Sequence, residues 1–297
     1  MDIRRVAAAA ALITSLLGTS AAPAFADETV DSQGPVVSVL WPLATVPNVI
    51  GKGFQSITAD ATDPSGVDRY TWFVDGAQRS QEQYLHYDFG ARQRTTTIEV
   101  WAWDLAGNHS VTTFPVTVDA EAPKATAFSP ASSTLLRGQL RTATVALKDR
   151  SVVGGALLVS GPNVTDTVAP FTGRFPLGAE GPQTLRWYVT DVWGNAGYVT
   201  QTVTSDNRTP TLKFASAPAN GAKVKDSVVI KAAATDRYGI AKVQLLVNGR
   251  VLAADSTAPY SFTLNTRKYG KQKFKIQLRA YDKAGNATTT AARTWHR

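Results

Sequence analysis

Hydrophobic and polar residues along this chain alternate with a period of two, the spacing of strands that bury one face. Three runs show it most clearly. Ile98, Val100 and Ala102 line one face of the first, Leu185, Trp187 and Val189 of the second, and Ile276, Leu278 and Ala280 of the third. The intervening positions are mixed: Glu99, Trp101 and Trp103, then Arg186, Tyr188 and Thr190, then Gln277, Arg279 and Tyr281. One face of each run is therefore expected in a core and the other on a surface. Every run ends in the same five-residue motif, Asp104-Leu105-Ala106-Gly107-Asn108, Asp191-Val192-Trp193-Gly194-Asn195 and Asp282-Lys283-Ala284-Gly285-Asn286. The aspartates at 104, 191 and 282 are spaced by 87 and 91 residues, close to one β-sandwich of about 100 residues.

The repeats also open alike. A polar linker ends in Pro35, Pro123 or Pro210 before an alternating stretch such as Val37, Val39 and Trp41, or Leu212 and Phe214. Proline suits a first, edge strand because it blunts unwanted pairing. In their middles, Ala61-Thr62-Asp63-Pro64-Ser65-Gly66 matches Ala234-Thr235-Asp236-Arg237-Tyr238-Gly239. Asp75-Gly76 and Asn248-Gly249 then follow alternating strands, a strong hairpin signal. The second repeat keeps Asp149 but departs afterwards through Gly154, Gly155 and Ser160-Gly161-Pro162, so its middle strands are the least defined. This divides the chain into a leader, 1–26, and three domains, 27–118, 119–205 and 206–297.

The leader reads as a cleaved secretory signal, with Arg4 and Arg5, an apolar stretch from Val6 to Leu17, and Ala24-Phe25-Ala26 as the cleavage site. No transmembrane segment is expected, and the mature protein is expected to be secreted, held at a cell wall by binding if at all. The chain has no cysteine, which excludes disulfide staples, thiolate metal sites and cysteine nucleophiles. Its three histidines, His86, His109 and His296, fall in no catalytic motif, and the prominent acids have turn or linker explanations, so no enzyme is expected. Charge is uneven: residues 27–118 hold 5 Lys+Arg against 11 Asp+Glu, 119–205 hold 7 against 6, and 206–297 hold 17 against 5.

The repeated motif fits a turn: Asp104, Asp191 and Asp282 cap backbone amides, Gly107, Gly194 and Gly285 take the left-handed conformation, and Asn108, Asn195 and Asn286 resume the strand. Calcium at the domain junctions is the alternative for these acids, with linker residues Asp119, Glu121 and Asp206 joining them. It requires several converging oxygens, and no metal ligand is assigned from sequence. With proline-led units, a T-D-x-x-G centre and a D-x-x-G-N hairpin, the chain resembles tandem bacterial immunoglobulin-like domains of secreted actinobacterial proteins. That resemblance implies an all-β array of three immunoglobulin-like sandwiches, serving as spacer, adhesin, wall- or glycan-binding module, or accessory part of a secreted enzyme.

Two surfaces are candidates for binding. Phe73 is expected to point outward beside Trp101 and Trp103, forming an aromatic patch for a glycan or protein partner. Lys271, Lys273, Lys275 and Arg279 are expected on the outward face of the last core strand, where they would attract anionic envelope polymers. No zinc-finger or helix-turn-helix pattern appears, so no specific nucleic-acid partner is expected. A purely structural spacer or accessory subunit is the alternative.

Overall fold

The computed structural model describes residues 30–41, 46–161 and 165–297. The expected signal sequence lies outside the described residues, as does Pro162. The first domain comprises β1 (Val36–Leu40), β2 (Val49–Gly51), β3 (Phe54–Thr62), β4 (Val67–Val74), β5 (Ala77–Ser80), β6 (Tyr84–Asp88), β7 (Arg94–Asp104) and β8 (His109–Asp119). These make one sheet in the order β1-β3-β6 and a second in the order β2-β8-β7-β4-β5. The second domain repeats the plan. It comprises β9 (Lys124–Ser129), β10 (Leu135–Leu136), β11 (Leu140–Lys148), β12 (Val153–Leu158), β13 (Thr165–Asp166), β14 (Phe171–Pro176), β15 (Gly181–Asp191) and β16 (Ala196–Ser205). Its sheets run β9-β11-β14 and β10-β16-β15-β12-β13.

In the third domain, β17 (Thr211–Ser216), β18 (Ser227–Thr235) and β21 (Ser261–Asn265) form one sheet. The other is built from β19 (Ile240–Val247), β20 (Arg250–Asp255), β22 (Lys273–Asp282), β23 (Ala287–Thr289) and β24 (Arg293–His296). The chain is thus three tandem immunoglobulin-like β-sandwiches. Each opening proline directly precedes an edge strand, β1, β9 or β17. The chain then crosses to the opposite sheet, where β2 runs parallel to β8 and β10 parallel to β16.

All nine residues on the alternating faces of β7, β15 and β22 are buried, and each set joins the core between its two sheets. Trp72, Trp187 and Trp295 are fully enclosed, one per domain. Burying side chains of this size contributes roughly 1.5–3 kcal/mol or more apiece, which lets domains without disulfides hold together. The two hairpin signals hold in detail. Asp75 and Gly76 have φ of 50° and 76°, and Asn248 and Gly249 have 49° and 78°, as a two-residue turn with the twist of its strands requires. Each leading side chain also ties its turn to the neighbouring strand: Asp75 Oδ1 accepts from Thr97 N at 2.9 Å and Asn248 Oδ1 from Lys275 N at 2.8 Å.

Two features have physical causes. The ladder between β12 and β15 shifts register between Val153 and Gly155, as the β4–β7 and β19–β22 ladders do at the corresponding place. At this bulge the second domain carries Gly154, on which a Cβ would stand 2.8 Å from the Asp191 carbonyl oxygen, where the other domains carry Asp68 and Ala241. In the third domain, β22 is not the last core strand, because β23 and β24 follow it and Trp295 is fully buried. The ladder breaks between them where Thr290 substitutes for it, its carbonyl accepting from Gln277 Nε2 and its Oγ1 from Leu278 N, both at 3.1 Å.

Candidate functional site

The repeated motif closes the β7–β8, β15–β16 and β22–β23 hairpins with the same bonds in each. Asp104 Oδ1 accepts from Asn108 N at 2.8 Å, and the equivalent bonds of Asp191 and Asp282 are also 2.8 Å. Gly107, Gly194 and Gly285 have φ of 93°, 79° and 92°, where a side chain would be strained. The asparagine does more than resume the strand. Its Nδ2 donates to the motif aspartate and also to a linker carbonyl: Asn108 to Asp31 O at 3.0 Å, Asn195 to Asp119 O at 3.1 Å and Asn286 to Asp206 O at 2.9 Å. Each hairpin therefore clamps the linker that enters its own domain.

That clamp brings three carboxylates together at the same end of every domain. One comes from the linker, one from the loop after the second strand of the small sheet, and one from the motif. The sets are Asp31, Asp63 and Asp104; Asp119, Asp149 and Asp191; and Asp206, Asp236 and Asp282, each with one oxygen per residue within 4.8 Å of the others. Asp119, Asp206 and Asp282 are at most 1% exposed. Burial pushes the Asp149 carboxyl above its ordinary range, and the charges of Asp119, Asp191 and Glu121 push the same way. Burial and the neighbouring Asp236 raise Asp206 likewise. Asp31, which is less enclosed, is instead lowered by the Gln33 backbone amide.

The motif hairpins also touch the preceding domain. Trp193 packs against the first domain's core, and a Cβ on Gly51 would lie 2.7 Å from its ring. Arg137 of the second domain donates to the Gly285 carbonyl of the third.

Phe73, Trp101 and Trp103 lie on one outer face, because Thr71 pairs with Trp101, and Arg69 with Trp103, across β4 and β7. Trp101 is 5.8 Å from Phe73 and 5.6 Å from Trp103, ring centre to ring centre. His109 of β8 adds a fourth ring, parallel to Trp101 within 3° at 5.2 Å, and Arg69 covers Trp103 at 4.6 Å. Phe73, Trp101 and Trp103 are half-buried and His109 is exposed, and the four rings form a continuous strip across three strands. Sequence reasoning left out His109 and Arg69, though their register beside Trp103 follows once the hairpin is placed.

The basic residues divide into two groups. Lys273, Lys275 and Arg279 share the outward face of β22, the lysines exposed and Arg279 half-buried against Thr289. Lys271 precedes the strand and lines a cleft of about 500 Å³ with Lys223, Lys225, Asp226 and Arg297. Asp226 pairs there with Arg267 at 2.9 Å and Arg297 at 3.8 Å. Among the described residues, no helix is long and apolar enough to cross a membrane.

Residues 210–291 match the family model of a bacterial Ig domain. Among solved structures, the three N-terminal domains of the bacteriophage RB49 highly immunogenic outer capsid protein align over 89% of this chain and 98% of that one. Their TM-score is 0.52 and their identity 12%. The fibronectin(III)-like modules of Clostridium thermocellum CbhA are 24% identical over 57% of this chain and 90% of that one, with TM-score 0.42. No curated protein matches the chain. Sandwich topology makes the chain a tandem array of immunoglobulin-like domains, and the third of them matches the bacterial Ig domain family.

Proposed function

We propose that this is a secreted, non-catalytic binding protein, and that the outer sheet face of its first domain is the binding surface for an extracellular glycan or protein. The observation that carries this reading is the four-ring strip of Phe73, Trp101, Trp103 and His109, flanked by Arg69. Rings gathered on an outward sheet face add nothing to the sandwich core, which Trp72 and its neighbours already fill on the other side. Contiguous aromatic surface rimmed by charge is the usual form of a recognition patch.

A second reading rests on the third domain. Lys223, Lys225, Lys271 and Arg297 surround one cleft, and Lys273 and Lys275 stand exposed on β22. Their shared field would hold the protein on a phosphate- or carboxylate-bearing wall polymer, leaving the first domain facing outward.

One experiment separates the two: retention of the mature chain on purified bacterial cell wall across a salt series, with a W101A/W103A variant and a K271Q/K273Q/K275Q variant alongside. Loss of at least about ten-fold in affinity in the tryptophan variant, at all salt concentrations, supports the aromatic surface. A loss confined to the lysine variant, steep with salt, supports the basic surface. Undiminished retention of both variants discards both surfaces as the wall contact, and no retention of the unaltered chain favours the spacer reading.

A further inference from the structure

Nine aspartates gathered as three identical triads, rather than scattered over three surfaces, call for something that tolerates converging negative charge. Among the described residues, the ion pairs engage Asp68, Asp75, Glu121 and Asp226, and none engages a triad carboxylate. The linker aspartates make the need sharper. Asp119 is 0% exposed and Asp206 1% exposed, yet Oδ2 of each has no hydrogen-bond partner, and Oδ2 of Asp31 is in the same condition in the first domain. Asp149 adds a further unpartnered oxygen at the second triad. A buried, unpaired carboxylate oxygen costs several kcal/mol, and the same cost recurs at corresponding positions of three domains whose sequences otherwise diverge.

We propose that each triad is a calcium site, formed by the linker entering a domain and two loops at that domain's near end. The donors fit a hard cation: three carboxylates, no nitrogen or sulfur, and oxygens already within 4.8 Å of one another. The remaining hydrogen bonds form an outer layer that aims the carboxylates. Asn108, Asn195 and Asn286 donate through both N and Nδ2 to the motif aspartate, and the Ser65 and Tyr238 amides donate to Asp63 and Asp236. Three carboxylates leave part of a calcium coordination shell to water or carbonyls. Beside the second triad lies a cleft of about 360 Å³ lined by Asp119, Glu121 and Asp149 together with Lys124, Lys148 and Arg150. Because Asp119 ends β8 of the first domain while Asp149 and Asp191 belong to the second, a cation there ties consecutive domains together. The third triad does the same between the second and third domains. The array is then stiff in calcium and jointed without it.

The test is calorimetric titration of calcium chloride into the chelator-stripped mature chain, together with its melting curve with and without calcium. The expected result is about three calcium ions bound per chain, one per triad, with Kd on the order of 10⁻⁴–10⁻³ M, the range of extracellular modules. Melting should rise by several degrees in saturating calcium. Asp119→Asn and Asp206→Asn, which keep side-chain shape, should each remove one ion. No binding heat and no melting shift up to about 10 mM calcium in the unaltered chain would overturn the proposal. So would folded Asn variants that bind as many ions as the parent. The unaltered chain decides the matter even if a variant fails to fold.

Discussion

Asn286→Ala isolates what the recurrent hairpin contributes. Its Nδ2 donates to the Asp282 carboxylate at 2.9 Å and to the Asp206 carbonyl at 2.9 Å. Asn286 is 8% exposed, and Asp282 and Asp206 are 1% each, so water cannot readily replace the lost amide. A hydrogen bond to a charged acceptor is worth about 1.5–3 kcal/mol, and an orphaned buried carbonyl costs about 1–3 kcal/mol. Allowing for incomplete additivity, the third domain should lose roughly 3–4 kcal/mol. For a domain of about 90 residues that is a fall in melting temperature of roughly 12–30 °C. Differential scanning calorimetry of the mature chain reads it as one transition moving away from the others. Asn286→Asp should be at least as damaging, since it sets a fourth carboxylate against Asp282. A fall below about 4 °C for Asn286→Ala would refute the reasoning, because the bonds would then be replaceable by solvent.

The other predictions address the core and pH. Trp295→Ala should cost the third domain about 3–5 kcal/mol, since the ring is fully enclosed, edge-on to Phe274 at 6.3 Å, and bonded to Ala219 O. A calorimetric loss under about 1 kcal/mol would place β24 outside the cooperative unit. Asp75 is held below its ordinary carboxyl value of 3.8, first by the Thr97 amide, then by Thr96 and Arg94. Its folded state therefore binds fewer protons than its unfolded state. The stabilisation is present above the unfolded value and is lost as pH falls through the lower, folded one. Urea midpoints measured from about pH 5 down to about pH 2 should fall less steeply in Asp75→Asn than in the parent. Parallel curves would contradict this.

What sequence fixed about the array is what depends on local periodicity. Alternation with period two placed Ile98, Trp187 and Leu278 in cores because successive strand side chains point to opposite faces. Positive φ at Gly107, Gly194 and Gly285 is likewise a local demand that only glycine meets cheaply. The aromatic strip was half legible: Phe73, Trp101 and Trp103 follow from alternation, but Arg69 and His109 enter only through the register of β4 and β8 against β7. A similar pair recurs in the third domain, where Lys242 lies 5.2 Å from the Tyr281 ring, so repeat alignment carried a faint signal for it.

Local pattern misread β22 as the last core strand, because the break at Thr290 interrupts the alternation that would have announced Trp295. The acidic triads were legible only in part: sequence set linker residues Asp119 and Asp206 beside the motif aspartates, but took Glu121 with them and left out Asp149 and Asp236. Asp119, Asp149 and Asp191 are about 30–40 residues apart in sequence, and each has an adequate turn or linker role of its own. Only the folded sandwich, by returning its loops to one end and clamping the incoming linker with an asparagine, sets their oxygens within 4.8 Å. Sequence determined the strands, their inward faces and the turns that join them, since these are settled by neighbours along the chain. Which charges and rings share a surface was decided by tertiary structure, since that depends on pairings between residues far apart in sequence.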